Sequence, residues 1–521
     1  MKRAWILLDR LFGVDIRSLA AFRVALGALL LLDLAQRARN LEAHYTEGGI
    51  LPRDALLRYF ALSDWHWSIH LANDTVSGQA VLFTLAAVAA IALAAGYCTC
   101  GATVASWLLL VSLQARNPTL LFGADQLLRL LLFWAMFLPL GAAWSVDRSR
   151  TEAGAVRQRH LSMASVGILS QVFLMYFFVG LMKEGPAWSS GEALTNAFSA
   201  EMFAGPLAGA LLAFPRLLEV LTYIVPWFEM VVPFLLFVPI ATRSFRIAAL
   251  VLLVGFHGLM ALSVSAGFFP AVSLTALVLF LPSGFWNSPV LGFLASRPGS
   301  PEPRHSSHGE GVAASSHRGS GALLRCANVS IQVFLALVLA YVVLWNIVAI
   351  DINRPTARRE SLDLFREWRE AGREGIPVSF RDYSVERRLG LLGAPGRALQ
   401  LHQRWDMFTH AGPQMRGWPA VLAITDDGSV LSLLEGGRVL PVASDGTVEQ
   451  AGVPTLDVRW NTYFVFARFS ATRSLRALLP PVFEKQWNRD HPDRRVAETR
   501  VVFERVSTIS GGAEAEPAPN G

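Results

Sequence analysis

Runs of predominantly apolar residues constrain this chain more than any other feature. Nine are present, at 18–34, 80–97, 101–114, 127–143, 161–182, 217–240, 245–264, 267–282 and 328–350. A helix needs about 20 such residues to cross the hydrocarbon of a bilayer. The third and eighth runs are short for that, and 203–214, interrupted by Pro206, reads as a re-entrant or interfacial segment. Composition agrees, with 53% hydrophobic and 17% charged residues, where a soluble chain carries roughly 25% charged. The expected class is a mostly α, polytopic transmembrane helix bundle of about nine spans. The net charge of +6 is small for 521 residues, and without a basic, aromatic-interleaved patch nucleic acid is not an expected partner.

Charge asymmetry orients the bundle, because cytoplasmic loops carry an excess of Lys and Arg. With the N-terminus inside, the inner segments hold Lys2, Arg3, Arg10 and Arg17, then Arg148, Arg150, Arg157 and Arg159, then Arg243, then Arg297, Arg304, Arg318 and Arg325. The outer loops hold Arg37, Arg39, Arg53 and Arg58, then Arg116, then Lys183 and Arg216. The apolar part of "MKRAWILLDRLFGVD" is too short and interrupted for a cleaved signal peptide, and it reads as a cytoplasmic amphipathic approach to the first span. Nine spans then place everything after residue 350 outside the cytoplasm. The expected location is a cell membrane, the inner one in a bacterium.

Residues 1–350 are thus expected to form the transmembrane bundle, with 297–321, rich in Ser, Gly, Pro and His, as a disordered cytoplasmic linker. Residues 351–510 read as a small extracytoplasmic α+β domain. Within it, 355–373 is expected to be a surface helix with a narrow apolar face of Leu362, Leu364, Phe365 and Trp368. "AVLAITDDGSVLSLL", 420–434, is a hairpin signal, "WNTYFVFARF" a helix or strand, and "TRVVFERVS" a final strand. Residues 511–521 read as a disordered tail. Cys98, Cys100 and Cys326 have no disulfide or metal-site spacing and are expected to pack as buried thiols; no metal is expected.

Ionisable residues at membrane depth are costly and mark function or internal pairing. Arg23, Asp33, Glu229 in "PWFEMVVP" and His257 are such residues, and each is open to a structural hydrogen bond or a chemical role. Lys183, in "YFFVGLMKEGPAWSSGEAL", differs in sitting where an apolar run stops, beside helix breakers and Trp188. Two readings stand there: a lysine whose head snorkels to the interface, or an amine in a dry site that loses its charge readily and serves as a general base.

The same stretch resembles the Y-F-x-x-G-x-x-K-x-x-x-x-W-x-x-G signature of the vitamin K-dependent gamma-glutamyl carboxylases and the wider HTTM family. "SLAAFRVALGALLLLDL", "WSVD" at 144–147, "GFHGLMALSVSAGFFP" and "RWDMFTH" at 404–410 are similar to further family segments, in the same order. The resemblance runs, with gaps, from about residue 15 to 465. It implies that Lys183 deprotonates a reduced vitamin K or menaquinol, that His257 and Trp188 line the cofactor cavity, and that Trp405 and His410 face a protein or peptide substrate on the outer side. It implies lipid and a lipophilic quinol as partners. Two positions depart from the carboxylase pattern: Pro118 and Ala142 stand where that family has histidines.

Three functions are compatible with these residues. They are a quinol-coupled membrane enzyme with Lys183 as base, a non-catalytic scaffold or binding protein on the same fold, and a transporter. The last is disfavoured by the lack of an internal repeat. The topology is checked by fusing a reporter that works only in the cytoplasm after residue 470. Silence is expected, whereas activity would put Lys183 on the cytoplasmic side.

Overall fold

The computed structural model describes residues 2–61, 66–150, 157–200, 202–288, 318–353, 376–377, 389–405, 407, 419–442, 447–449, 456–468, 473–502 and 506–508. The surface helix expected at 355–373 and the tail at 511–521 lie outside these residues. So does most of the linker, although a helix Arg318–Asn353 already begins within its last residues.

Six helices among the described residues are long and apolar enough to cross a membrane: Ile16–Ala38, Val76–Ala95, Met163–Leu181, Pro215–Phe237, Thr242–Ser263 and Asn328–Ile350. The other three apolar runs also form helices. Gly123–Ala135 has 13 residues and Phe269–Leu277 has nine, lengths that give only about 20 and 14 Å at 1.5 Å per residue. Thr99–Arg116 has 18 residues but buries Ser106, Ser112, Gln114 and Arg116. Nine apolar runs are therefore nine helical regions, of which six have both the length and the apolarity of a span.

Caps set several boundaries. Asp15 accepts the backbone N–H of Arg17 and its guanidinium at the start of Ile16–Ala38, and Ser162 and Ser165 cap Met163–Leu181 reciprocally. Each supplies acceptors to the N–H groups that a helix start leaves unpaired. Arg23 donates to the carbonyls of Leu140, Ala143 and Trp144, so the first long helix is tied to the loop carrying "WSVD". In that loop Asp147 accepts from the backbone of Cys98 and Thr99 and from the Thr99 hydroxyl. The expected burial of the cysteines is not found: Cys98 caps the helix Thr99–Arg116 in a left-handed turn, Cys100 lies in that helix's first turn, and both are exposed. The Cys326 side chain lies outside the described residues.

After the last long helix, the "DDG" hairpin forms as expected. Strands Ala420–Thr425 and Val430–Ser432 pair antiparallel, with Leu422 opposite Ser432. Arg438–Val439 extends this sheet on one side and Val496–Val502 on the other, where Leu422 faces Arg500. "WNTYFVFARF" is a helix, Val458–Arg468, whose Trp460, Tyr463 and Phe464 pack with Tyr45, Phe83 and Leu120.

Four buried charges join this region to the bundle. Asp33 accepts from Arg37 Nε at 2.8 Å and from Arg459 at 2.6 Å, and Asp125 closes the set by pairing with both arginines. Arg37 also donates to the Tyr45 hydroxyl at 2.7 Å and Arg459 to the Leu120 carbonyl at 2.8 Å. Two positive and two negative groups thus balance, each in contact with both opposites. Removing one partner from a buried set leaves an uncompensated charge and costs about 3–5 kcal/mol. Arg459→Met should therefore lower the unfolding temperature in detergent markedly. The double change Arg459→Met with Asp125→Leu should cost less than the two single changes together, as thermal unfolding of all three variants will show.

Candidate functional site

Each position of the stretch around Lys183 has a structural task. Tyr176 and Gly180 share one face of the helix Met163–Leu181, at i and i+4, and Lys183 follows its C-cap, Met182. Gly180 is where that helix meets Pro215–Val231. A Cβ there would lie 2.6 Å from the Pro226 carbonyl oxygen and 3.1 Å from Cβ of Glu229, so only glycine lets the two backbones approach this closely. Pro226 sits inside the facing helix, one turn before Glu229. Having no N–H, it leaves that turn without one of its ladder hydrogen bonds.

The close approach brings the amine of Lys183 onto Glu229 Oε2, and the amine also donates to the Val179 carbonyl at 3.3 Å. Lys183 is 7% exposed and Glu229 5%. The lysine head therefore turns into the bundle and does not reach for its surface. Trp188, on the short helix Pro186–Ser189, places its ring centroid 5.5 Å from the amine, within range of a cation–π contact. Trp188 is itself held in an apolar cluster with Ala193, Phe198, Leu218 and Val264. The segment leaves Trp188 through Gly191, whose φ of +80° is open to glycine. Phe177 completes the stretch, stacking on Phe173 at 5.7 Å and meeting Phe234 edge-on at 6.0 Å.

His257 joins the same helix face two turns away. Its Nε2 and the Tyr176 hydroxyl are 2.6 Å apart, and Phe256 and Phe269 stand around the ring at 5.5 and 6.0 Å. The other ring nitrogen, Nδ1, is buried with no hydrogen-bond partner. A buried polar atom left unpaired is uncommon and calls for an explanation. The arrangement is an amine–carboxylate pair just past the C-terminal end of the helix Met163–Leu181 and a phenol–imidazole pair on that helix's last turns, with aromatic rings beside each. It can hold and pass protons in a place from which water is largely excluded.

The remaining expected residues lie elsewhere. Trp405 is fully buried in the core of the bundle, its indole N–H donating to Gln403 Oε1 at 3.0 Å. His410 lies outside the described residues. Pro118 opens a short 3-10 turn after Asn117, whose side chain is spent on the His44 carbonyl and on Thr119. Ala142 lines a cavity of about 370 Å³ with Thr99, Cys100, Met136 and Asp147. Sequence reading singled out Glu229 as a polar intramembrane residue but did not pair it with Lys183. The available signal was a lone carboxylate between Pro226 and Pro233, in a helix whose other residues are mostly apolar. Among the described residues no group of three or more His, Cys, Asp or Glu side chains could hold a metal ion.

No curated protein and no solved structure matches the chain. A family match covers residues 13–285, a little over half of the 521 residues, and includes every member of the Lys183 stretch together with Glu229 and His257. The chain belongs to the HTTM domain family and is an integral membrane protein.

Proposed function

We propose that this protein is a quinol-coupled membrane enzyme in which Lys183 is the general base, with the vitamin K-dependent carboxylases as the precedent. The observation that carries the reading is the direction of the Lys183 side chain. A snorkelling lysine extends along the helix toward the headgroups, whereas this one is buried against Glu229. The residues present suit a lipophilic aromatic diol: the Lys183 amine and the unpaired His257 Nδ1 offer polar contacts, and Trp188, Phe256 and Phe269 offer ring faces. Such a quinol, when bound, supplies an acidic ring hydroxyl and, once ionised, electrons for oxygen.

The protein's part is proton handling in a dry site. Glu229 Oε2, already in contact with Nζ, takes the ammonium's proton and leaves a neutral amine, and Lys183 Nζ then takes the proton of the ring hydroxyl. Tyr176 fixes the orientation of His257 through the 2.6 Å contact. Burial keeps bulk water from quenching strong bases formed there. Pro118 cannot donate a hydrogen bond or carry a proton, and Ala142 has no polar group. The two histidines of the carboxylase pattern are therefore missing, and the reading commits to quinol oxidation, with carboxylation of an outer-face protein or peptide as family precedent.

The competing reading is a scaffold in which Lys183 and Glu229 form a purely structural pair. Arginine separates the two, since it keeps a cation beside Glu229 but does not lose its proton in a protein. Purified protein in nanodiscs, given reduced vitamin K or menaquinol, oxygen and carbon dioxide, should oxidise the quinol. Lys183→Arg and Lys183→Ala should each lose activity by about a hundredfold or more while remaining inserted and folded. If the wild type oxidises no quinol and Lys183→Arg behaves as wild type in cells, the scaffold reading holds.

A second measurement addresses Glu229. If the pair acts as one unit, Glu229→Gln slows turnover, and the double variant with Lys183→Ala is no slower than Lys183→Ala alone. Additive losses would separate the two residues' roles.

A further inference from the structure

We infer that residues 389–405, which follow the last long helix in the sequence, re-enter the membrane-spanning bundle to about half its depth, and that their tip, Leu391 and Leu392, faces lipid acyl chains. The inference is independent of any chemistry at Lys183.

Depth is fixed by three contacts. Gln171 lies in the middle of Met163–Leu181, roughly 12–15 Å from either end at 1.5 Å per residue, and its side chain donates to Gln403 Oε1 at 2.8 Å. Trp345, within the apolar stretch Asn328–Ile350, donates to the Gln403 carbonyl at 2.9 Å. Gly396 packs so closely on Tyr341 and Trp345 that a Cβ would lie 2.4 Å from the Tyr341 hydroxyl and 2.9 Å from the Trp345 ring. Tyr341 is nine residues inside the end of that stretch at Ile350, roughly 13 Å along the helix axis, close to half of a hydrocarbon core about 30 Å thick.

From there the chain runs outward along Gly123–Ala135. The His402 carbonyl meets Arg129 at 3.0 Å. Arg404 exchanges two hydrogen bonds with Gln126, at 2.8 and 2.9 Å. Met407 then lies against Gly123.

The way this backbone is satisfied also points to membrane depth. Residues 401–405 have no regular secondary structure. The carbonyls of His402, Gln403 and Arg404 are taken by Arg129, Trp345 and Gln126, side chains from two helices of the bundle. Irregular backbone in the hydrocarbon region is tolerated only where protein groups or a water-filled cavity replace the missing hydrogen bonds. Here side chains do so one residue after another.

The tip itself is uncovered. Leu391 is 96% exposed and Leu392 56%, while Leu389 packs on the core of the bundle and Gly393 and Gly396 are buried. On the spanning helix that Gly396 packs against, Leu337, Leu344 and Ile347 are exposed as well. Exposed apolar side chains in the spanning region have acyl chains as their surroundings.

The test uses single cysteines in a background with Cys98, Cys100 and Cys326 changed to Ser, reconstituted in nanodiscs and spin-labelled. Collision with oxygen, which concentrates in lipid, is compared with collision with a water-soluble nickel chelate. Leu391→Cys and Leu392→Cys should match Leu337→Cys on the spanning helix and differ from Asp426→Cys in the hairpin turn. A match to Asp426→Cys would overturn the inference. Because the cysteine variants themselves disturb the tip, the unmodified protein is also labelled with a diazirine-bearing phospholipid and mapped by mass spectrometry. Crosslinks within 389–398 are expected, and their absence alongside labelling of 328–350 would also overturn it.

Discussion

Four charges buried together hold this molecule's two parts in one register. Asp33 and Arg37 come from the first long helix, Asp125 from the start of a short one and Arg459 from the helix Val458–Arg468. Because every member touches both opposites, no member can shift without stranding another in a medium that solvates ions poorly. The surrounding contacts follow from that registry. The Arg459 guanidinium lies 4.6 Å from the Phe122 ring centroid, Asn40 reaches Asp457 at 2.7 Å, and Trp460 packs on His44 at 4.7 Å. His44 illustrates how dry the place is. Burial, with Arg459 and Arg37 adding their charge, pushes its pKa down to about 3, so its ring is neutral at any ordinary pH.

The Lys183–Glu229 pair follows the same rule with one charge of each sign. A balanced set of four resists change because its geometry is closed, whereas an isolated pair can also neutralise internally by moving one proton between its members. That difference separates a staple from a candidate base. It also gives Gly180 and Pro226 a shared purpose, since close backbone approach at the first and a weakened turn at the second bring amine and carboxylate together.

The sequence made the apolar helices, the "DDG" hairpin and the Lys183 stretch legible, because each is written in neighbouring residues: length of an apolar run, alternation around a turn, spacing along one helix face. What it hid depends on distant partners. Arg459 lies in "DVRWNTYF", where nothing local distinguishes it from a solvated arginine, and its carboxylates are hundreds of residues earlier. Arg37 and Arg116 counted as outer-loop charges in the sequence, yet both are fully buried, and Arg116 donates to the carbonyls of Leu51 and Thr46. Among the described residues only six of the nine runs have the length and apolarity of a span, for a related reason. Gly123–Ala135 is buried along nearly its whole length, and burial in protein selects the same residues as burial in lipid.

The hydrogen bond between Gln171 and Gln403 joins residues 232 positions apart. Chains are synthesised at roughly 5–20 residues per second, so Gln171 is made tens of seconds before its partner exists. During that interval the amide sits on a newly inserted helix without the group that will satisfy it. An unpaired amide at that depth is costly, so this part of the bundle reaches its final energy only when residues near 403 arrive. A chain that stops short of Gln403 leaves the Gln171 amide without this partner.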